Sequence, residues 1–429
     1  MLIMAINNKK LLTILSALMM AVALFADNGV NSPYSRFGLG MLSDQNLAIN
    51  RQMGGLGYAL RDSRYINLLN PASLAQADTL TMLFEAGFSL QNVNFKENGQ
   101  KINAHNSSFD YIAMKYRIRN GLGMSFGVLP YSNVGYSFSS RNINIDSEIG
   151  NNTSSTNSYS GTGGIYQPFV ALGWSPISNL SLGVSASYIY GDISHKVGST
   201  FDDTSIRNRA RYYNIDVSSY KVDFGAQYDM ILGKGHGLTL GLVYSLGHDL
   251  DADAQVIEQT IQNGTIQVSD TSFIANGFSL PHTIGLGAVY NLKNRWKFGI
   301  DYTYQAWSSS DFFGEDKGLD RSKISVGMEY SPNRISRNIL KRMYYRAGAY
   351  YAQPYTEVNG KKGCDEFGVS AGFSIPFANK FNRRMSMVHI SGQVIRMEPK
   401  SSGMIAETCL RINLGITFNE GWFTKMKVE

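Results

Sequence analysis

The chain has 429 residues, and its 39 Lys and Arg against 33 Asp and Glu give a formal net charge of +6. Charged residues make up only 17% of the sequence, too few for the basic surface of a nucleic-acid-binding protein, so no nucleic-acid partner is expected. The two cysteines are too few for a disulfide framework or a Cys-rich metal module. A mean hydropathy of −0.16 is too polar for a bundle of membrane helices.

The N-terminal residues 1–26 have the pattern of a cleaved secretory signal peptide. Lys9 and Lys10 precede an apolar run from Leu11 to Phe25, and a polar stretch follows at once. The run is shorter than the roughly 20 residues that a membrane-spanning helix needs. A core helix is the alternative, but nothing amphipathic continues from the run. Because no later segment is apolar enough for a membrane helix, the exported protein is expected either to be soluble or to cross a membrane with strands.

From about Leu80 onward, polar and apolar residues alternate with a period of two. In WKFGIDYTYQ, residues 296–305, polar residues or glycine take every second position and aromatic or aliphatic residues take the others. KISVGMEY at 323–330 and LRINLGITF at 410–418 repeat the pattern. Such alternation is typical of strands with one polar and one apolar face.

Fourteen segments of this kind can be counted, and their length helps to separate a membrane barrel from a soluble sandwich. They run about 10 to 18 residues, whereas strands of globular proteins have about 5 or 6 and a tilted membrane strand needs about 9 to 11. The predicted strands are Leu80 to Phe95, Phe109 to Ile118, Gly121 to Ser139, Tyr159 to Trp174, Leu180 to His195, Tyr213 to Met230, Gly237 to Leu250, Leu280 to Asn291, Trp296 to Trp307, Arg321 to Ser331, Met343 to Gln353, Glu366 to Ile375, Met385 to Met397 and Ile405 to Phe418.

The connectors between these segments alternate in length. Those at Ser175 to Asn179 and Leu292 to Arg295 are short, whereas Lys196 to Tyr212 and Asp251 to Ser279 are long. Short periplasmic turns and long outer loops are typical of outer-membrane barrels. The sequence therefore predicts an all-β fold, a 14-stranded antiparallel transmembrane β-barrel over residues 79–418, with a periplasmic tail over 419–429. Membrane lipid and lipopolysaccharide of a Gram-negative outer membrane would surround it. A secreted soluble β protein is the alternative.

Residues 27–78 precede the first strand and show no sustained alternation. A barrel of 14 strands is too wide for its own side chains to fill, so this segment is expected to form a hatch in the lumen. A disordered periplasmic tail is the alternative, and apolar residues such as Leu39, Leu56 and Ile66 count against it. The candidate hatch motif consists of a glycine cluster and a turn-like triplet, Gly54, Gly55, Gly57, Asn70, Pro71 and Ala72.

The signal peptide, the glycine-rich segment, the Asn-Pro-Ala triplet before the first strand and the 14 long strands together resemble the FadL family of outer-membrane transporters for hydrophobic compounds. The resemblance covers essentially the whole exported chain and implies a lumenal hatch and passage of an apolar small-molecule ligand. In that family a kink in the third strand opens the wall sideways. The corresponding strand here contains Pro130, which cannot donate to the strand ladder. A lateral opening and a tolerated bulge both remain open at this position.

Ten charged residues on the polar strand faces are expected to point into the lumen. Because unpaired buried charge is costly, they are expected to hold the hatch, and contact with a ligand's carboxylate head group is the alternative for the basic ones. They are Lys115, Arg117, Lys221, Asp223, Asp229, Lys297, Asp301, Lys323, Glu329 and Arg411. The connector Asp251 to Ser279 is rich in aliphatic residues, which would suit either an apolar catch for the ligand or a β-hairpin that extends the barrel.

Catalytic and metal-binding patterns are weak throughout the sequence. The stretch GVSAG at 368–372 matches G-x-S-x-G by letter, but it lies in an alternating strand with no following helix to form a nucleophile elbow. The six histidines have no metal-ligand spacing, and Asp249, Asp251 and Asp253 lack the Gly and Glu that an EF-hand requires. We therefore expect no enzyme activity, no catalytic residue, no metal and no cofactor.

Two functions remain for such a barrel. The first is uptake of hydrophobic compounds, fatty acid-like or aromatic, through a plugged barrel with a lateral opening, which Pro130, the hatch and the apolar connector favour. The second is a non-transporting barrel that serves as a scaffold or shuttle subunit of an outer-membrane secretion or assembly complex, as some FadL relatives do. The C-terminal tail and a basic cluster favour this second function, with an outer-membrane or periplasmic protein as partner. The cluster is Arg334, Arg337, Lys341, Arg342 and Arg346.

Overall fold

The structure is a computed structural model that describes residues 29–421 apart from 80, 98–99, 146–151, 204, 263, 276–277, 311, 313–317, 334–335, 359, 379–384 and 402. The expected signal peptide and residues 422–429 of the expected tail lie outside the described residues. The strands, in chain order, are β1 Met41–Leu42, β2 Thr81–Glu97, β3 Gln100–Arg119, β4 Leu122–Ile145, β5 Asn152–Ile177, β6 Leu180–Phe201, β7 Asn208–Gly233, β8 His236–Ser245, β9 His248–Asp249, β10 Ala252–Gln262, β11 Thr265–Ala275, β12 Ser279–Leu280, β13 Thr283–Leu292, β14 Trp296–Gln305, β15 Arg321–Tyr330, β16 Tyr344–Ala352, β17 Glu357–Val358, β18 Lys361–Lys362, β19 Cys364–Ala378, β20 Met385–Pro399 and β21 Ala406–Gly421. The described helices are α1 Ala48–Gln52, α2 Ile339–Arg342 and the 3₁₀ turns Pro33–Arg36, Pro71–Ala75 and Trp307–Ser309.

Fourteen antiparallel strands form a closed wall: β2 to β8, β13 to β16 and β19 to β21. Each pairs with the next wall strand along the chain. The wall closes because β2 also pairs with β21, from Thr81 opposite Gly421 to Lys96 opposite Ala406. The predicted 14-stranded antiparallel barrel, with an N-terminal segment ahead of it, is therefore confirmed.

The two faces of the wall strands differ in polarity as the alternation predicts. On β14, Ile300 is 52% exposed, whereas the neighbouring Asp301 is 3% exposed. On β15, Val326 is exposed and Ser325 is buried. Apolar residues outside and polar residues inside are the reverse of a soluble sandwich and suit a wall surrounded by lipid. No helix in the described part of the chain has the length and apolar character to cross a bilayer.

Several connectors that were expected to be long outer loops are continuations of strands. β6 runs to Phe201 and β7 begins at Asn208, so most of the expected loop Lys196 to Tyr212 is paired. These extensions, KVGSTF at 196–201 and NRARY at 208–212, are too short and too irregular in hydrophobicity to reveal a strand period. Most of Asp251 to Ser279 forms the β10–β11 hairpin, the second of the two interpretations above.

The connector between β15 and β16 lies at the end of the barrel with the short turns, which is the periplasmic end in barrels of this type. It contains the helix α2, capped by Asn338, whose side chain accepts from the Leu340 amide at 2.9 Å. This helical turn accounts for a connector longer than its neighbours. Arg346 lies beyond it, buried on the lumenal face of β16, so it does not belong to the exposed basic cluster in which the sequence placed it. Arg334 of that cluster lies outside the described residues.

Candidate functional site

Residues 29–78 lie inside the barrel and form a hatch, so the alternative of a disordered tail is wrong for this segment. Leu39, Leu56 and Ile66 are fully buried. Ile66 belongs to an apolar cluster that also contains Leu129 and Phe169 of the wall. The hatch is therefore continuous with the protein core rather than a loosely held stopper.

Glycines on the lumenal face of the wall give the hatch room to touch the barrel backbone. A Cβ atom added at any of them would lie less than 3.0 Å from a hatch atom, closer than real Cβ contacts come. We call this set the glycine belt: Gly123, Gly173, Gly183, Gly225, Gly241, Gly287, Gly299, Gly327, Gly348, Gly372 and Gly415. Its members lie on eleven of the fourteen wall strands, all but β2, β3 and β20.

Pairing register places neighbouring members of the glycine belt side by side. Gly173 lies opposite both Gly123 and Gly183, and Gly327 lies opposite both Gly299 and Gly348. The hatch follows the resulting channel around the wall, from Ala48 near β21 to Leu74 near β4. A side chain at these positions would push the hatch off the wall, so the belt determines how closely the two parts fit.

The Asn-Pro-Ala triplet is the part of the hatch that docks on β5, β6 and β7. Asn70 caps the 3₁₀ turn Pro71–Ala75, with its Oδ1 accepting from the Ala72 amide at 3.0 Å. Its Nδ2 donates to Tyr58 O at 2.8 Å within the hatch and to Ala226 O at 3.1 Å on the wall. One side chain thus starts the turn, joins two parts of the hatch and ties both to the barrel.

The hatch glycines have backbone roles. Gly54 and Gly55 have φ values of 66° and 83°, a region that other residues adopt at a cost. The Gly54 amide donates to Ser370 Oγ at 2.9 Å, and the Gly57 amide donates to Asp301 Oδ2 at 2.6 Å. Ser370 is the serine of the GVSAG stretch, and it serves as an acceptor for the hatch in the middle of β19.

Four of the ten predicted lumenal charges contact the hatch directly. Lys115 donates to Tyr65 O at 3.1 Å and to Gln76 O at 3.3 Å. Asp301 accepts from two hatch amides, including Gly57, as described above. The ion pairs of Lys297 with Asp62, at 2.9 Å, and of Lys323 with Asp44, at 3.2 Å, complete the set.

Asp62 is the centre of a buried charge network between the hatch and the wall. It pairs with Arg64 in the hatch and with Lys297 on β14. Lys297 also lies 3.5 Å from Glu329, which in turn pairs with Arg346 at 2.7 Å. Burial alone would raise the pKa of Asp62, but Lys297 and then Arg64 outweigh burial and hold that pKa well below its usual range.

The other predicted lumenal charges have partners on the wall or near its rim. Glu329 pairs with Arg346, as above, and Lys221 pairs with Asp223. Arg411 donates to Gln91 Oε1 at 3.2 Å. Asp229 accepts from Thr239 at 2.7 Å, and Arg117 donates to Thr79 Oγ1 at 2.6 Å beside the short turns.

An apolar cluster fills the lumen above the hatch, on the side of the long connectors. Trp307 is fully buried, and its ring lies 5.7 Å from that of Phe312 and 4.9 Å from that of Tyr355, between centroids. Leu39 of the hatch and Phe278 belong to the same cluster. The lumen thus has an apolar layer on one side and the hatch with its charge network on the other.

Pro130 marks the place where β4 separates from β3. β3 pairs with β4 only up to Ile112 opposite Val128, and the pairing of β4 with β5 shifts register just after Pro130. Beyond this point β4 pairs instead with the hatch strand β1, Met41–Leu42. Gln45 of the hatch donates to Pro130 O at 3.0 Å. The pairing of β4 with β3 thus ends near Pro130, and the hatch lies along β4 beyond it.

Three cavities lie beside the hatch. One of about 180 Å³ is lined by Asp44, Lys221, Asp301 and Lys323 together with apolar residues, and one of about 130 Å³ lies near Pro130. A third, of about 330 Å³, lies toward the short turns and has a mainly polar lining that includes Arg61, Gln76 and Asp229. Ligand pockets usually have about 300–1,000 Å³ and mostly apolar walls. Within the described residues, no group of three His, Cys, Asp or Glu side chains is arranged to hold a metal ion.

The sequence did not predict which hatch residues bond to the charged residues of the wall. It did not single out Asp44, Asp62 or Arg51, which pairs with Asp110 at 2.5 Å. Their signal is weak because the hatch has no period that tells which side faces the wall. The glycine belt did leave a signal, since Gly225, Gly299, Gly327 and Gly415 are conspicuous in mid-strand on the polar face.

Comparisons with known proteins agree on the fold. A family model described as BamG matches residues 8–429. The solved structures that resemble the chain include the CymD monoaromatic hydrocarbon channel, at 15% identity and a TM-score of 0.59, covering 90% of this chain and 100% of CymD. A Pseudomonas aeruginosa FadL homologue has 12% identity and a TM-score of 0.61, covering 88% and 99%.

The Pseudomonas putida toluene transporter TodX has 15% identity and a TM-score of 0.59, covering 89% of this chain and 99% of its own. No curated protein sequence matches the chain. Similarity at identities this low establishes a shared FadL-like barrel fold. It does not transfer what those channels carry.

Proposed function

The chain belongs to the BamG family, and from that premise we propose that it is a non-transporting barrel that serves as a scaffold subunit of the BAM complex in the outer membrane. The observation that carries this proposal is the fit between hatch and wall along the glycine belt. A scaffold requires a barrel of fixed shape, whereas a conduit requires a plug that leaves or rearranges.

Three features oppose movement of the hatch. Along eleven of the wall strands its atoms lie where a Cβ would have to be, and at six of the belt glycines the hatch atom in contact belongs to the backbone. Withdrawal of the hatch would separate two ion pairs between hatch and wall, Lys297 with Asp62 and Lys323 with Asp44, and separation of a buried pair costs free energy. The apolar layer around Trp307 would in addition lose its contact with Leu39.

A candidate docking surface for a protein partner lies at the short-turn end, around α2. Ile339 and Leu340 are 49% and 60% exposed, and Lys341 and Arg342 follow them directly. Exposed apolar side chains with adjacent cations are unusual at a rim that meets only water, and they suit a partner surface with apolar and acidic residues. This surface retains Lys341 and Arg342 of the predicted basic cluster.

The experiment is affinity purification of the tagged chain from detergent-solubilised outer membranes, followed by quantitative mass spectrometry. We expect BAM subunits to be recovered in fixed stoichiometry with the wild type. The double variant Leu340→Asp with Lys341→Glu should reduce that recovery at least tenfold, because it places charge in the apolar contact and reverses the adjacent one.

Ile206→Asp is the matched control, since Ile206 is exposed in the β6–β7 connector at the opposite end of the barrel. It should leave recovery unchanged. Absence of BAM subunits from the wild-type preparation, under conditions in which the barrel remains folded, would contradict the proposed function.

Transport of hydrophobic compounds is the second candidate, and one observation favours it. The separation of β3 from β4 at Pro130 leaves the wall incomplete at one level, next to a cavity of about 130 Å³. An apolar solute could pass sideways there without crossing the whole lumen. Against this stands the polar character of the gap, where Ser43, Gln45 and Asn133 bond to one another or to the β4 backbone.

A further inference from the structure

The β10–β11 hairpin ends in a strand whose outer edge is open. β10 pairs with β7 on one side and with β11 on the other. β11 pairs with β10, and among the described residues no strand pairs with its second edge, since β13 pairs with β8 and β14. Its eleven residues therefore present a row of unpaired backbone donors and acceptors beyond the wall, on the side of the long connectors.

The composition of β11 does not protect this edge. Natural edge strands are usually short, or they carry Lys or Pro, which discourage pairing with another chain. The sequence TIQVSDTSFIA has neither, and Asp270 is its one charged residue. Ile266, Val268, Phe273 and Ile274 are between 45% and 75% exposed. A long apolar edge of this kind is suited to accept a strand.

The charges beside the edge define what such a strand should carry. Arg211 on β7, Glu258 on β10 and Asp270 on β11 lie opposite one another in one row across the sheet. Arg211 pairs with Glu258. Asp270 is thus next to a like charge, and no cation among the described residues pairs with it. A Lys or Arg on an added strand would extend the row with alternating sign.

The same row disfavours a second copy of this chain as the occupant. Asp270 is the middle residue of β11, with five residues before it and five after it. A symmetric antiparallel pairing of two β11 strands over their full length would place Asp270 opposite Asp270. Like charges directly opposite each other destabilise a strand pair.

We propose that the free edge of β11 is a docking site for an extended segment of a different polypeptide, which adds as an antiparallel strand and places a Lys or Arg opposite Asp270. Residues flanking that cation on the same face are apolar, matching Val268 and Ile274, which share the face of Asp270. This site lies at the opposite end of the barrel from α2, so the inference does not depend on membership of the BAM complex.

The test uses the purified full-length protein in detergent and synthetic nine-residue probes. The first probe is Val-Thr-Val-Thr-Lys-Thr-Val-Thr-Val, with end caps and a solubilising tag, and the second has Glu in place of Lys. A third probe keeps the Lys but has proline in place of the two threonines beside it, so it cannot form a continuous strand ladder. Binding is measured by titration, and pairing is measured by hydrogen exchange of residues 265–275.

We expect the Lys probe to bind and to protect β11 amides, the Glu probe to bind about tenfold more weakly, and the proline probe not to bind. Asp270→Lys should reverse the preference between the Lys and Glu probes. Asp253→Lys makes the same charge change on β10 of the same hairpin, and it should leave the preference as in the wild type.

Three results would overturn the proposal. They are equal binding of the proline probe, no protection of residues 265–275, and a preference that Asp270→Lys does not reverse. A purified protein that dimerises with β11 already protected would assign the edge to a second copy and would also refute it.

Discussion

The glycine belt makes a quantitative prediction for a substitution of one methyl group, Gly173→Ala. The added Cβ would lie 2.6 Å from Pro71 O and 2.7 Å from the Ala75 amide nitrogen, and ordinary contact begins at about 3.4 Å. The 3₁₀ turn of the hatch must therefore move by about 0.8 Å. Overpacking of this kind costs about 1–3 kcal/mol. The hydrogen bond from Lys115 to Gln76 O is already 3.3 Å long, and its loss adds about 1 kcal/mol.

The expected cost to hatch docking is therefore about 2–4 kcal/mol, which corresponds to roughly 30- to 1,000-fold faster hydrogen exchange of the hatch amides around residues 70–76. Exchange measured by mass spectrometry on the protein in detergent provides the assay. Gly237→Ala is the matched control on a wall strand, because its Cβ would find its nearest neighbour at 3.6 Å. If Gly173→Ala left exchange as slow as Gly237→Ala does, the hatch would not be fitted to the wall by the belt, and the argument for a fixed hatch would be wrong.

Two further predictions concern the hatch and the wall break. The pKa of Asp62 is depressed in the folded protein, so its contribution to docking is present above its unfolded pKa of about 4 and is lost as pH falls further. Hatch exchange, corrected for its intrinsic pH dependence, should therefore accelerate below about pH 4. Asp62→Asn should reduce this acceleration while weakening docking at neutral pH, and an unaltered acid profile in Asp62→Asn would contradict this account. We expect cells with the wild type, cells with Pro130→Ala and cells lacking the protein to take up a radiolabelled long-chain fatty acid at the same rate. Uptake that is present with the wild type and lost with Pro130→Ala would instead support transport through the break.

The barrel could be predicted from the sequence because the bilayer imposes one rule on every wall strand. Outward apolar residues such as Ile300 alternate with inward polar residues such as Asp301 along each wall strand. Because fourteen strands show this pattern, exceptions within single strands do not hide it. The outer extensions escaped prediction because lipid does not contact them. The ends of β6 and β7 show no clear alternation of polar and apolar residues, and only their pairing reveals them as strands.

The wall residues of the site could be predicted for a related reason, whereas the hatch residues could not. Lys115, Lys297, Asp301 and Lys323 lie on strands, so the strand period places them in the lumen. Their partners lie in a segment with little regular structure, and which hatch residue meets which wall residue depends on the path of the chain through the belt. Asp62 meets Lys297 across 235 residues of sequence, a pairing that no local pattern encodes.

The break at Pro130 and the fixed hatch have a common structural explanation. Proline removes a donor from β4, and at the same level β4 leaves β3 and exposes an edge within the wall. The hatch strand β1 takes that edge, with Met41 opposite Asn133 and Ser43 donating to Tyr131 O at 2.9 Å. Transport through this break would need the edge of β4 to be free. In this structure the hatch strand occupies that edge, so the feature that most favours transport by resemblance is also a place where the hatch is hydrogen-bonded to the wall.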